Sequence, residues 1–177
     1  LGFICCRVAR GSGGTLRCIP MKSNRFPPSC LFLPIYICLF FSSYGEEHWS
    51  QFRGPGGMGH SLVGDIPLKW SYESVVWKVP LKGKGQSSPV SWGNKIFLTG
   101  GSDNGRERYL YCLDSKKGKL LWSRTIACSS PERPHRMNSY ATPTCATDGE
   151  RVVAFFGPAG LHCYTLEGEK IWSRQLG

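Results

Sequence analysis

The sequence has few acidic residues and no long apolar run. It contains 12 Asp and Glu residues against 22 Lys and Arg residues, and none of the acidic residues precedes Glu46. The apolar run at residues 30–41 is 12 residues long and includes Pro34, whereas a helix that crosses a membrane needs roughly 20 apolar residues. We therefore expect no transmembrane span in the mature chain.

Catalytic and metal-binding signatures are also missing. No C-x-x-C pair occurs, and the four histidines stand singly in the sequence, which argues against a structural zinc site. We find no nucleophile elbow, no kinase motif and no adjacent carboxylate pair within a strand pattern. No helical period occurs from residue 68 onward, which argues against helices in that region. These absences predict no catalytic residues, no bound metal and no cofactor.

The formal net charge of +10 is unevenly distributed along the chain. Five basic residues precede Glu46, and the remainder of the chain carries only +5. Lysines there cluster in predicted turns, at Lys82, Lys84 and 116–119, where solvation is the ordinary state of a charge. No signature of DNA or RNA binding accompanies them. We expect no nucleic-acid partner.

Residues 21–45 have the form of a secretory signal peptide. Basic residues come first, the apolar run follows, and Ser43 and Gly45 supply small residues before a cleavage site. We expect an exported, periplasmic or cell-envelope protein whose mature chain begins at Glu46, with an uncleaved anchor as the alternative. Residues 1–20 are expected to be translated upstream sequence without a fold.

Residues 46–74 are rich in turn-forming residues. Gly54, Gly56 and Gly59 spell a G-x-G-x-x-G pattern, which binds phosphates only where a helix follows it. Pro55 interrupts the pattern, and further turn residues follow it. We therefore interpret this segment as a lead-in to the fold.

The main organising feature is a repeat. Residues 110–124 read LYCLDSKKGKLLWSR and residues 161–174 read LHCYTLEGEKIWSR. The cysteines of the two copies are 51 residues apart and the tryptophans 50. Upstream of each copy lies a second matching block, SSPV at 87–90 and ATPT at 141–144.

A period of about 50 residues with four short strands is typical of a β-propeller blade. The strands and turns predict one blade at about 87–126 and a second at about 141–176, after a leading strand at 75–80. Residues 75–177 are therefore predicted to be an all-β, partial propeller of about two blades. A complete ring of seven or eight such blades needs roughly 350 to 400 residues, so we expect a fragment.

The repeat resembles that of the quinoprotein-type, or PQQ-like, β-propellers, in which a strand and a small turn ending in Gly-Lys precede an apolar pair and Trp. The resemblance implies that Trp77, Trp122 and Trp172 pack between neighbouring blades. More narrowly, the segments WSQFRGPGG, GKGQSSPVSWGNKIFLT and NSYATPTCATDGERVVAFFG resemble a group of exported planctomycete propeller proteins.

One segment breaks the regular spacing, the loop 127–140 between the two blades. Long loops on rigid scaffolds often carry binding residues, with a solvated linker as the alternative. The candidate interaction residues here are Arg133, His135, Arg136, Asn138 and Tyr140.

Four cysteines lie in the blades. Cys112 and Cys163 occupy the same place in each repeat and are predicted to be small buried hydrophobes. Cys128 and Cys145 flank the loop, and a disulfide between them is an alternative in an oxidising compartment.

The sequence favours an exported, non-enzymatic propeller scaffold that binds a protein or cell-envelope partner. The resemblance also leaves open a quinone-dependent dehydrogenase fragment, in which pyrroloquinoline quinone binds with calcium beside adjacent cysteines. The adjacent pair in this chain, Cys5 and Cys6, precedes the predicted signal peptide. A third possibility is the sensor domain of a membrane kinase.

Overall fold

The computed structural model of the chain describes residues 2–6, 48–61 and 67–176. The strands in chain order are β1 (Gly2–Cys6), β2 (Trp77–Leu81), β3 (Val90–Trp92), β4 (Lys95–Gly101), β5 (Glu107–Asp114), β6 (Leu120–Ala127), β7 (Ala146–Thr147), β8 (Arg151–Phe155), β9 (Leu161–Thr165) and β10 (Lys170–Arg174). Short 3-10 helices occur at Pro55–Gly57, Tyr72–Ser74 and Gly157–Ala159. Within these ranges no helix has the length and apolar character needed to cross a membrane.

Eight of the strands form two antiparallel sheets of four strands each. The first sheet has the order β3-β4-β5-β6 and the second the order β7-β8-β9-β10. Every strand therefore pairs with its neighbours in sequence, which is the meander of a propeller blade. The two sheets confirm the predicted all-β fold with two blades.

The innermost strand of each blade is shorter than the sequence predicted. β3 has three residues and β7 only two. Pro89 directly precedes β3 and lacks the N–H that a strand ladder requires. In the first blade a side chain takes over part of the ladder. The Ser87 hydroxyl accepts a hydrogen bond from Thr99 N at 3.0 Å and donates one to Thr99 O at 3.3 Å.

The third sheet has two strands, β1 and β2. β2 is the leading strand that the sequence predicted. β1 lies within residues 1–20, for which we expected no fold, and it pairs antiparallel with β2 from Gly2 opposite Leu81 to Cys6 opposite Trp77. The predicted signal peptide and its cleavage site lie outside the described residues.

The lead-in contacts the inner strands of both blades. Ser91 N donates to Trp49 O at 2.8 Å, and Thr147 N donates to Ser50 O at 2.9 Å. A three-residue 3-10 helix at Pro55–Gly57 overlaps the glycine pattern, and no α-helix follows it within the described residues 48–61, whereas a phosphate site needs one.

The core lies in two layers, one on each face of the first blade. The layer between the blades contains Val90, Phe97, Leu110, Cys112, Ile126, Cys128, Cys145, Val152, Ala154, Phe156, Ala159 and Tyr164. The layer against β2 contains Ile96, Leu98, Tyr109, Tyr111 and Leu113. Along β5 the side chains alternate between these layers, as the two-residue period of a strand requires. Because both faces are covered, the middle of β4 and β5 is buried at nearly every position.

All four blade cysteines are buried free thiols. Cys112 and Cys163 are fully buried, as expected for small hydrophobic residues. Cys128 and Cys145 do not form the bridge that the sequence left open. Burial raises the pKa of the Cys112 and Cys145 thiols to about 12, so almost none of the reactive thiolate is present at neutral pH.

We predict that maleimide reagents do not modify Cys112 or Cys145 in the folded protein at mildly alkaline pH, because both thiols are buried and protonated. In guanidinium both become reactive. Mass spectrometry of the tryptic peptides after labelling in each condition measures this directly. Rapid labelling of Cys112 or Cys145 in the native chain would contradict their burial. A recovered peptide that links Cys128 to Cys145 would contradict the free-thiol state of those two residues.

Candidate interaction site

Two tryptophans connect consecutive sheets in the same way. Trp77 donates its ring N–H to Ser115 O at 3.0 Å, and Trp122 donates to Leu166 O at 2.9 Å. Each ring lies over a turn glycine of the following blade, Gly118 and Gly168, and a Cβ at either position would overlap it. Both glycines have positive φ, 66° and 88°, a conformation that disfavours other residues.

Trp172 occupies the third equivalent position but makes no such contact within the described chain. Its exposed fraction is 37%. Together with Val153 and Cys163 it lines an open cavity of about 470 Å³ on the outer face of the second blade. Two of the three predicted inter-blade tryptophans therefore lie between sheets, and the third lies on an uncovered face.

A further inter-blade tryptophan was missed from the sequence. Trp92 at the end of β3 lies over Gly149 of the second blade, and His48 of the lead-in stacks on its other side with ring centroids 3.8 Å apart. Trp92 is not repeated in the second blade, so the repeat gave no signal for it.

The loop 127–140 is anchored to the first blade through Arg108. This β5 residue is fully buried, and its guanidinium pairs with the Glu132 carboxylate at 3.2 Å. The guanidinium also donates to Gly105 O and lies 4.8 Å from the centroid of the Tyr140 ring. Arg108 therefore fixes both the beginning and the end of the exposed stretch of the loop.

Gln86 provides a second anchor from the link 82–86, which connects β2 to the first blade. Its amide nitrogen donates to Met137 O at 3.3 Å, and its amide oxygen accepts from Ser139 N at 2.7 Å. One side chain thus holds two backbone groups of the loop, as a neighbouring strand would. Neither Arg108 nor Gln86 was singled out from the sequence, because each becomes a loop contact only once the sheets have formed.

The five candidate residues do not all have the same environment. Arg133, His135, Arg136 and Asn138 are exposed, whereas Tyr140 is half-buried and packs over Gly105. Within the loop, Asn138 N donates to His135 O at 2.8 Å. The structure therefore places His135, Arg136 and Asn138 on one exposed turn, with Arg133 just before it, and gives Tyr140 an anchoring position.

A cleft separates this turn from the link 82–86. It has a volume of about 370 Å³ and is lined by Lys84, Gly85, Gln86, Ser102, Asp103, Pro134, Arg136, Met137, Asn138, Ser139 and Tyr140. We call this the basic cleft. Its walls come from three connections at one end of the blades, namely the link, the β4–β5 hairpin and the loop.

The charges around the basic cleft are unbalanced. Each acidic residue at this end already has a basic partner: Lys82 with Glu107 at 2.8 Å, Lys84 with Asp103 at 3.0 Å, and Arg108 with Glu132 at 3.2 Å. Three exposed arginines have no carboxylate partner among the described residues. These are Arg106, Arg133 and Arg136.

Beside the cleft, Lys82 belongs to a small polar cluster. The hydrogen bond from Lys82 to Glu107 raises the pKa of the amine and lowers the pKa of the carboxyl. Tyr109 also donates to Glu107, and burial raises its phenol pKa. These groups keep their ordinary charge states at neutral pH, so the Lys82–Glu107 pair stays neutral overall.

Side chains that could bind a metal ion are not grouped together in the described residues. No group of three or more His, Cys, Asp or Glu side chains in this part of the chain is placed to bind a metal ion. Calcium requires six to eight oxygen ligands. The exposed residues of the loop include two arginines, His135, an amide, a thioether and Glu132, whose carboxylate already pairs with Arg108.

Comparisons with known proteins add little. No protein-family profile and no curated protein matches this sequence. Among solved structures, the chain is similar to the crystal structure of BamB from Moraxella catarrhalis, with 20% sequence identity and a TM-score of 0.43. The match covers 59% of this chain and 28% of that chain.

Proposed function

We propose that this chain is part of an exported, non-enzymatic β-propeller scaffold that binds a protein partner through the loop 127–140. The observation that carries the proposal is the double anchoring of this loop by Arg108 and Gln86. An anchored loop loses little conformational freedom on binding, so more of its contact energy contributes to affinity.

We further propose that the protein is exported and binds no cofactor. The signal-peptide form of residues 21–45 supports export, with a mature chain that begins at Glu46. The absence of a calcium ligand set among the described residues supports a scaffold without pyrroloquinoline quinone. The partner is a protein of the cell envelope, since that is the compartment to which such a signal leads.

The test is site-specific photocrosslinking in cells that produce the protein. A photoreactive amino acid replaces Asn138 in the loop, and in the control it replaces Lys117 in the β5–β6 turn at the opposite end of the blade. We expect a discrete protein adduct from position 138 that position 117 does not give. Both residues are exposed, so the two positions differ in location rather than in accessibility.

Two results would contradict the proposal. Identical adducts from both positions would show that the loop has no special role. Stoichiometric binding of the quinone with calcium, followed by reduction of a dye, would show an enzyme instead.

A further inference from the structure

The basic cleft also indicates the chemistry of the partner. We propose that it binds an extended acidic segment of a protein, in which carboxylates alternate with apolar side chains. This inference rests on the proposed function, because it assigns the contact segment of the same partner.

The charges at this end of the blades favour an acidic partner. The three acidic residues at this end are all within 3.2 Å of a basic nitrogen, which leaves the charges of Arg106, Arg133 and Arg136 uncompensated. Arg136 lines the cleft itself. A guanidinium presents donors in a fixed fork that fits a carboxylate with two parallel hydrogen bonds. The surface is therefore complementary to a chain bearing several carboxylates.

The cleft also offers an exposed apolar side chain. Met137 lies between Arg136 and Asn138 at the cleft, and its exposed fraction is 73%. Gln86 holds its backbone oxygen, so the backbone from which the side chain projects is fixed. An exposed thioether adapts its shape to different apolar partners. A segment with carboxylates alone would leave this side chain in water.

The size of the cleft and the lack of a free aromatic ring in it favour a peptide over a nucleic acid. A cleft of about 370 Å³ accommodates a few side chains, whereas a nucleic-acid backbone needs a long row of cations to match its regularly spaced phosphates. Binding of single strands also needs free aromatic faces for the bases. The aromatic ring at this cleft, Tyr140, is already covered by Gly105 and Arg108.

The contacts that anchor the loop also restrict the positions of its charges. Glu132 and Tyr140 hold the ends of the exposed stretch on Arg108, and Gln86 holds its middle. Arg136 therefore projects from a short turn of defined geometry, and Arg133 lies in the exposed stretch just before that turn. Charges placed in this way chiefly increase the association rate and the specificity of a complex.

The experiment uses the full chain and fluorescence anisotropy. The probes are a labelled peptide in which glutamates alternate with leucines and a counterpart with lysine in place of glutamate. We expect binding of the acidic peptide only, and weaker binding as salt rises, because exposed charges are screened. The double variant R133E/R136E should weaken binding about tenfold, since two exposed ion pairs are lost and replaced by repulsion.

The matched control is K116E/K117E, which reverses two exposed charges in the β5–β6 turn. We expect its affinity to stay within about twofold of the parent chain, because these lysines lie at the opposite end of the blade. Circular dichroism of each variant establishes that the fold is retained. Equal weakening by both double variants would overturn the proposal, since it would show dependence on net charge alone.

Other outcomes separate this inference from the proposed function. If polyuridylate or anionic vesicles bind in place of the acidic peptide, the peptide assignment is wrong. If the acidic peptide fails to bind the parent chain, and the adduct at position 138 persists in the R133E/R136E variant, the loop is an interaction site and its partner is not acidic. If the parent chain binds the acidic peptide and the R133E/R136E variant loses the adduct, both the proposed function and the acidic partner are supported.

Discussion

Replacement of Trp122 by alanine is expected to lower the free energy of unfolding by about 3 kcal/mol, the lower end of the range for truncating a large buried aromatic residue, because the ring is partly buried. The ring lies between the blades, with its centroid 5.9 Å from that of Phe97 and 6.5 Å from that of Tyr164. Its loss also leaves Leu166 O without its indole donor. The change therefore weakens the contact between the two sheets rather than either sheet alone. Urea unfolding followed by far-ultraviolet circular dichroism measures the effect.

The matched control is Trp172→Ala. The two tryptophans occupy the same place in the repeat and the same strand of each blade, but Trp172 lies on an uncovered face. We expect a loss of about 1 kcal/mol or less, since little packing is removed. Equal losses for the two variants, or a loss below about 1 kcal/mol for Trp122→Ala, would show that the tryptophan does not hold the blades together.

Replacement of Arg108 by alanine is expected to cost about 2–4 kcal/mol of unfolding free energy and to release the loop 127–140. Removing one partner of a fully buried ion pair costs about 3–5 kcal/mol when the other stays buried. The Glu132 side chain is 45% exposed, so water solvates the remaining carboxylate and reduces the cost. The empty volume left by the arginine adds to it.

Limited trypsin digestion detects release of the loop. The Arg136–Met137 bond is the cleavage site to follow, because Pro134 protects the bond after Arg133. We expect it to be cut several-fold faster in Arg108→Ala than in the parent chain. Arg106→Ala is the control, since Arg106 is exposed on the adjacent hairpin and has no ion pair among the described residues. Unchanged cleavage in Arg108→Ala would mean that this arginine does not hold the loop.

The strand pattern and the repeat were the parts of this protein that the sequence determined well. Strand spacing and turn glycines depend on neighbours within about 15 residues. The Leu, Cys and Trp residues recur at a regular period. A linear pattern therefore records all of these features. The end of the first strand of the first blade was less accurate, because Pro89 removed a ladder donor and the Ser87 side chain took over part of the pairing.

The same division applies to the proposed interaction site. Sequence alone identified the loop 127–140 and its basic residues, because the loop interrupts a regular spacing. Only the tertiary structure showed how the loop is held. Arg108 and Gln86 are 24 and 53 residues from their respective partners Glu132 and Ser139. Contacts at such separations follow from the pairing of whole sheets, which leaves no periodic mark on the residues that make them.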